Sequence, residues 1–124
     1  MAAPNIVGVT TILGITTSQI LGTTATTIVS NPADSGKVYK INFISAANET
    51  AATASVTVRY NQGAAGAGTT IAIANGIDVS TKSTLVIIDK ASSFYLEEDR
   101  SLTALAGTAS AIDLIVSYED ITNL

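Results

Sequence analysis

The stretch Ala111-Ile112-Asp113-Leu114-Ile115-Val116-Ser117-Tyr118-Glu119 decides the fold class. Ile112, Leu114, Val116 and Tyr118 occupy alternate positions, opposite Asp113, Ser117 and Glu119. Successive side chains of a strand point to opposite faces, so this spacing predicts a strand with one face buried and one wet. Thr53 to Tyr60 repeats the pattern, with Ala54, Val56, Val58 and Tyr60 opposite Ser55, Thr57 and Arg59. Lys37 to Ser45 sets Tyr39, Ile41 and Phe43 against Lys40 and Asn42, with Val38 and Ile44 making the second face partly apolar. Leu85 to Ile88 is a short continuous apolar run, consistent with a central strand.

Turn chemistry punctuates these runs. Asn31-Pro32-Ala33-Asp34-Ser35-Gly36 separates a strand near Thr24 to Val29 from the one at Lys37. Asn75-Gly76 is a hairpin dipeptide after Thr70 to Ala74. Glu97 to Arg100 joins Phe94-Tyr95-Leu96 to Leu102-Thr103-Ala104, and Gly107-Thr108 leads into the last strand. Thr, Val and Ile suit a pleated surface, and no long stretch carries the helical spacing of apolar residues. The expectation is a single all-β domain over 23–124, an antiparallel β-sandwich or jelly-roll-like barrel of about eight strands. Residues 1–22 have β-type residues but poor alternation and are read as an extended N-terminal arm with room for a short strand, rather than as a second domain. Removing Met1 to Gly22 is expected to leave a folded domain. The expected core is Ile41, Phe43, Val56, Val58, Leu85, Ile87, Leu96, Leu102, Leu114 and Val116.

At 124 residues the chain fits one domain able to build a core without staples. It contains no Cys and no His. Disulfides, thiolate metal sites, and Cys-His or Ser-His-Asp catalysis are thereby excluded. An enzyme would need a carboxylate, Lys or Tyr mechanism, and no nucleophile-base pair is evident, so no enzyme activity is expected. The net charge is -4, and Lys37, Lys40, Arg59, Lys82, Lys90 and Arg100 are scattered. No basic stripe exists to neutralise phosphates, which argues against nucleic acid as partner. Met1 to Leu21 is fairly apolar, yet Thr, Ser and Gly interrupt it and no positive segment leads it, so neither a signal peptide nor a membrane span is expected.

The remaining motifs carry little chemistry. Gly63-Ala64-Ala65-Gly66-Ala67-Gly68 lacks the following helix and Lys of a phosphate loop, and reads as a mobile loop or partner-contacting tip. Glu97-Glu98-Asp99 lacks the ligand spacing of a calcium loop and reads as a solvated turn. Asp78, Asp89 and Asp113 are available for carboxylate chemistry, but nothing pairs them and no Trp offers a sugar platform. Asn48-Glu49-Thr50 matches a glycosylation sequon and is taken as loop chemistry. Adjacent Phe94 and Tyr95 must face opposite ways, so one of them is free to reach a neighbouring subunit. No catalytic, cofactor-binding or metal residues are assigned.

Four elements of the chain resemble small virion structural proteins of tailed phages, especially marine ones. They are Ala3-Pro4-Asn5-Ile6-Val7, Ser35-Gly36-Lys37-Val38-Tyr39-Lys40-Ile41-Asn42, Tyr95-Leu96-Glu97-Glu98-Asp99-Arg100-Ser101-Leu102 and Val116-Ser117-Tyr118-Glu119-Asp120. In the family the leucine-acidic turn is commonly followed by Gly-Asp, where this chain has Glu98-Asp99-Arg100. The resemblance implies a β-sandwich on the capsid exterior of a virion, made in the host cytoplasm. It also implies a cement protein that decorates the capsid, bound to the major capsid protein or other virion proteins, frequently as a trimer. A neck, tail or fibre component is the alternative, and a lectin-like ligand-binding module is the alternative from another class. The expected partner contacts are Pro4, Ile6, Val7, Ile12, Ile15 and Ile20 of the arm with Gly63, Gly66 and Gly68 of the loop. An arm of this kind can add a strand to a neighbour's open sheet edge.

Overall fold

The computed structural model describes residues 7–122. Among them nine strands run β1 (Thr11–Ile20), β2 (Thr26–Asn31), β3 (Lys37–Asn48), β4 (Ala54–Asn61), β5 (Thr70–Val79), β6 (Thr84–Ile88), β7 (Phe94–Leu96), β8 (Arg100–Ala106) and β9 (Ile112–Thr122). One antiparallel sheet has the order β1-β9-β3-β6, with the short β7 also on β3, and the other has the order β2-β8-β4-β5. Successive strands repeatedly cross from one sheet to the other, which is jelly-roll connectivity. The all-β sandwich expected from alternation is therefore present.

The inner faces meet in one core. Ile112, Leu114 and Val116 of β9, Ala54, Val56 and Val58 of β4, and Ile41, Ile44 and Ala46 of β3 join Leu96, Leu102 and Val79 there, with Tyr60 and Tyr118 packed against it. Leu85 and Ile87 are only partly buried against this cluster. Phe43 lies outside it, which corrects the expectation. The pairing of β3 with β9 shifts register between Ile41 and Phe43, so the extra residue turns Phe43 to the outer face, opposite Ser117. The same bulge carries Ile44 into the core.

Two turn expectations also change. Asn75-Gly76 does not close a hairpin, because β5 runs through it from Thr70 to Val79. Gly76 takes a φ of 62°, its N–H donates to Thr57 Oγ1, and the register slips between Val56 and Val58 on β4. The residue absorbs a bulge where β4 supplies partners on both sides of it. β6 pairs with β3 alone and is an edge strand, despite its continuous apolar run.

The stretch taken as an arm holds β1, which pairs with β9 from Thr11↔Thr122 to Ile20↔Asp113. Leu21 follows it and is a core residue. Its N–H donates to Ile112 O, and its carbonyl accepts from Ser110 N. Cutting after Gly22 would thus remove a strand and a core side chain together, so this geometry does not support the folded truncation.

At one end of the interior, Lys37 pairs with Asp120 at 3.1 Å, beside Tyr39 and Tyr118, whose ring centroids lie 5.1 Å apart. The hydrogen bond and charge of Asp120 raise Lys37 above its ordinary value of 10.5. Burial, then neighbouring negative charge, raises both tyrosines above 10.0. All three groups hold their protons more tightly folded than unfolded. Their contribution is complete below the ordinary values and is lost as pH rises through the raised ones. Melting temperature is expected to fall steeply above about pH 10, the ordinary range of Tyr and Lys. The Tyr39→Phe/Tyr118→Phe double variant should flatten that fall, and an unchanged slope would refute the assignment.

Candidate assembly surfaces

The outer face of the β1-β9-β3-β6 sheet follows from its registers. Its rows are Ile12–Ile121–Val38, Gly14–Glu119–Lys40–Tyr95, Thr16–Ser117–Phe43, Ser18–Ile115–Ser45–Val86 and Ile20–Asp113–Ala47–Thr84. Several large apolar side chains here reach solvent. Ile12 is 55% exposed, Ile20 61% and Val86 51%, with Tyr95 and Ile115 also open. Phe94 packs against the core, so Tyr95 is the member of that pair that turns outward. Scattered apolar side chains on a surface mean little, but several on one sheet face make it the candidate contact surface.

The expected contact residues divide as follows. Pro4 and Ile6 lie outside the described residues. Val7 is almost fully exposed, and Ile12, Ile15 and Ile20 sit on β1, with Ile15 half-buried. Gly63 is buried, Gly66 half-buried and Gly68 exposed. The structure does not bring the loop glycines to the β1 face, since the loop contacts β2 and β8 in the other sheet.

That loop is fastened, which corrects the mobile reading. Three consecutive amides are captured by side chains: Ala64 N–H donates to Asp99 Oδ1, Ala65 N–H to Ser30 Oγ and Gly66 N–H to Ser101 Oγ. Ser101 Oγ in turn donates to Gly63 O at 2.7 Å. Ala65 and Gly66 both adopt left-handed φ, 56° and 79°, which aims the amides at those acceptors. The N–H groups a phosphate would need are occupied by the protein's own oxygens. Asp99 of the acidic turn serves this same anchor.

Sequence reasoning missed a set of buried asparagines that close three strands. Asn31, ending β2, donates to Lys37 O and Leu96 O. Asn61, ending β4, donates to Ser101 O and Thr103 Oγ1, and accepts from Thr70 Oγ1. Asn48, ending β3, donates to Ala52 O and Val79 O and accepts from Thr50 N and Oγ1. Asn48 is 2% exposed, so the sequon amide is committed to the fold. The legible signal was position: each Asn stands at a strand end, where a side-chain amide mimics backbone.

A carboxyl pair was also missed. Glu49 follows β3 and Asp113 lies on neighbouring β9; hydrogen bonding of the protonated Glu49 carboxyl to Asp113, then the charge of Asp113, raises Glu49 above its ordinary value. The pair opens on a cleft of about 500 Å³ lined by Ser18, Gln19, Ile20, Glu49, Asp113 and Leu114. Only strand adjacency unites these two residues. Among the described residues, no three Asp, Glu, His or Cys side chains gather into a metal-holding group. No described helix is long and apolar enough to cross a membrane.

No protein-family model matches the sequence, and no curated protein matches it. The fold is similar to a solved structure reported as "Bacillus endospore appendages form a novel family of disulfide-linked pili". The match has a TM-score of 0.55 and 21% identity, and covers 92% of this chain and 88% of that chain. At that identity the likeness extends to the fold. This chain has no Cys, so a disulfide link has no counterpart in it.

Proposed function

We propose that this chain is a structural subunit that works by non-covalent contact with copies of itself and with a larger scaffold. The observation that carries this reading is the set of outward Ile12, Ile20, Val86, Tyr95 and Ile115 on one sheet face. Covering such a face removes apolar area from water at roughly 25 cal/mol per Å². Few charges need desolvation in exchange, since charged residues make up 13% of the chain. Likeness of fold to a chain reported from disulfide-linked pili supports the same direction.

The finer reading is capsid decoration on the exterior of a tailed-phage virion, with no catalytic step. The resemblance of the Ser35–Asn42 and Tyr95–Leu102 segments to virion proteins supports it. The second reading, a tail, neck or fibre component, is favoured by the likeness to a subunit of a filamentous appendage. The test is assembly of the purified chain, followed by light scattering and negative-stain microscopy. Multi-copy particles or binding to a capsid shell are expected. Ile115→Glu is expected to weaken either by about ten-fold, the effect of roughly 1.4 kcal/mol at a buried contact. A chain that stays monomeric and ignores shells and tails would overturn the proposal. Immunogold labelling of virions separates head from tail.

A further inference from the structure

The two sheets have four edges between them, and three carry features that discourage pairing with another chain. β2 has six residues, shifts register between Thr27 and Val29, and runs into Pro32. β5 is interrupted by two register shifts against β4 and carries Asp78. On the far side of β3 the edge is split between β6, of five residues, and β7, of three, with the short 3₁₀ turn Lys90–Ser92 between them. β1 has none of these. Its ten residues include no Pro and no ionisable side chain, and it pairs with β9 without a register shift. Among the described residues its other side meets no strand.

We infer that β1 pairs antiparallel with β1 of a second copy, about a two-fold axis at Thr16. This rests on the reading of the chain as an assembling subunit and names the junction. The occupant follows from the edges themselves. A strand that accepts β1 along its length must be long, unbroken and uncharged, and of the described edges only β1 qualifies. Two copies set no like charges opposite each other.

The register follows from the pleat. Residues opposite each other must share a face. Ile12, Gly14, Thr16, Ser18 and Ile20 share the outward face, through their β9 partners Ile121, Glu119, Ser117, Ile115 and Asp113. An axis at Thr16 sets Ile12 opposite Ile20 twice, Gly14 opposite Ser18 twice, and Thr16 opposite its own copy. On the inner side Leu13 meets Gln19 and Ile15 meets Thr17. Sliding by two residues either way parts the two isoleucines, which are both more than half exposed. The five-stranded sheets of two copies become one continuous sheet. The contact is isologous and closed, so it builds even-numbered assemblies rather than a trimer.

The chain has no Cys, so Thr16→Cys creates a lone thiol. Directly opposed residues place Cβ atoms about 4.5–5.5 Å apart, close to the roughly 3.5–4.5 Å of a disulfide. Under mild oxidation Thr16→Cys should give a covalent dimer on non-reducing gels, at least about ten-fold faster than Thr24→Cys, which lies in an exposed connection. Thr16→Lys places two ammonium groups on the axis and should weaken self-association about five-fold, with circular dichroism and melting temperature near wild type. Equal cross-linking at the two positions, or unchanged association of Thr16→Lys, overturns the junction. If wild type still forms multi-copy particles in that case, the assembly reading survives. A monomeric wild type sinks both.

Discussion

Leu114→Ala is expected to cost about 2–5 kcal/mol of folding free energy. Leu114 is 1% exposed on β9, which lies between β1 and β3, and it belongs to the core with Ile44, Ala46 and Val116. The deletion removes buried methyl groups and leaves a cavity that rigid neighbouring strands fill only in part. For a domain of this size each kcal/mol lowers the melting temperature by roughly 3–5 °C. Ile115, the next residue, faces outward and is partly exposed. Ile115→Ala should therefore cost well under half as much in the isolated chain. Urea titration of the two variants checks this. Equal losses would mean that β9 does not divide its faces as described.

Asn48→Ala is expected to cost about 2–3 kcal/mol, because it deletes a buried amide that satisfies several partners at once. The side chain links the end of β3 to Ala52 O and Val79 O, and its oxygen receives Thr50 N and Thr50 Oγ1. After truncation those groups lose their partner in a site that water reaches poorly. Asn75→Ala, at an exposed position, is the control and should stay within about 0.5 kcal/mol. Comparable melting temperatures for the two variants would show that the buried network carries no stability.

Much of the sandwich was legible in single residues. Ile112, Leu114 and Val116, and Ala54, Val56 and Val58, face the core as period-two alternation requires. What escaped was non-local. Phe43 changes face because of an extra residue set by pairing with β9, and no local spacing announces it. Gly76 looked like a hairpin turn because Asn-Gly is the turn dipeptide, yet the partner strand runs past it. β1 alternates poorly because it is an edge with no fully buried side chain, so burial imposed no pattern on it. For the candidate surface, Ile12, Ile15 and Ile20 could be singled out by type, but only strand pairing shows that Ile12 and Ile20 share a face with Ile115 and Val86 while Ile15 turns to the inner side with Tyr118. The Glu49–Asp113 pair is 64 residues apart in the chain (113 − 49) and meets only through the sheet.

The glycine-rich segment looks like the natural place to graft an epitope or fluorophore peptide. Its three captured amides argue otherwise: an insertion there would pull Asp99, Ser30 and Ser101 away from their acceptor duties at once. The exposed connection at Thr23-Thr24, between β1 and β2, holds no such cluster and is the better port for a tag.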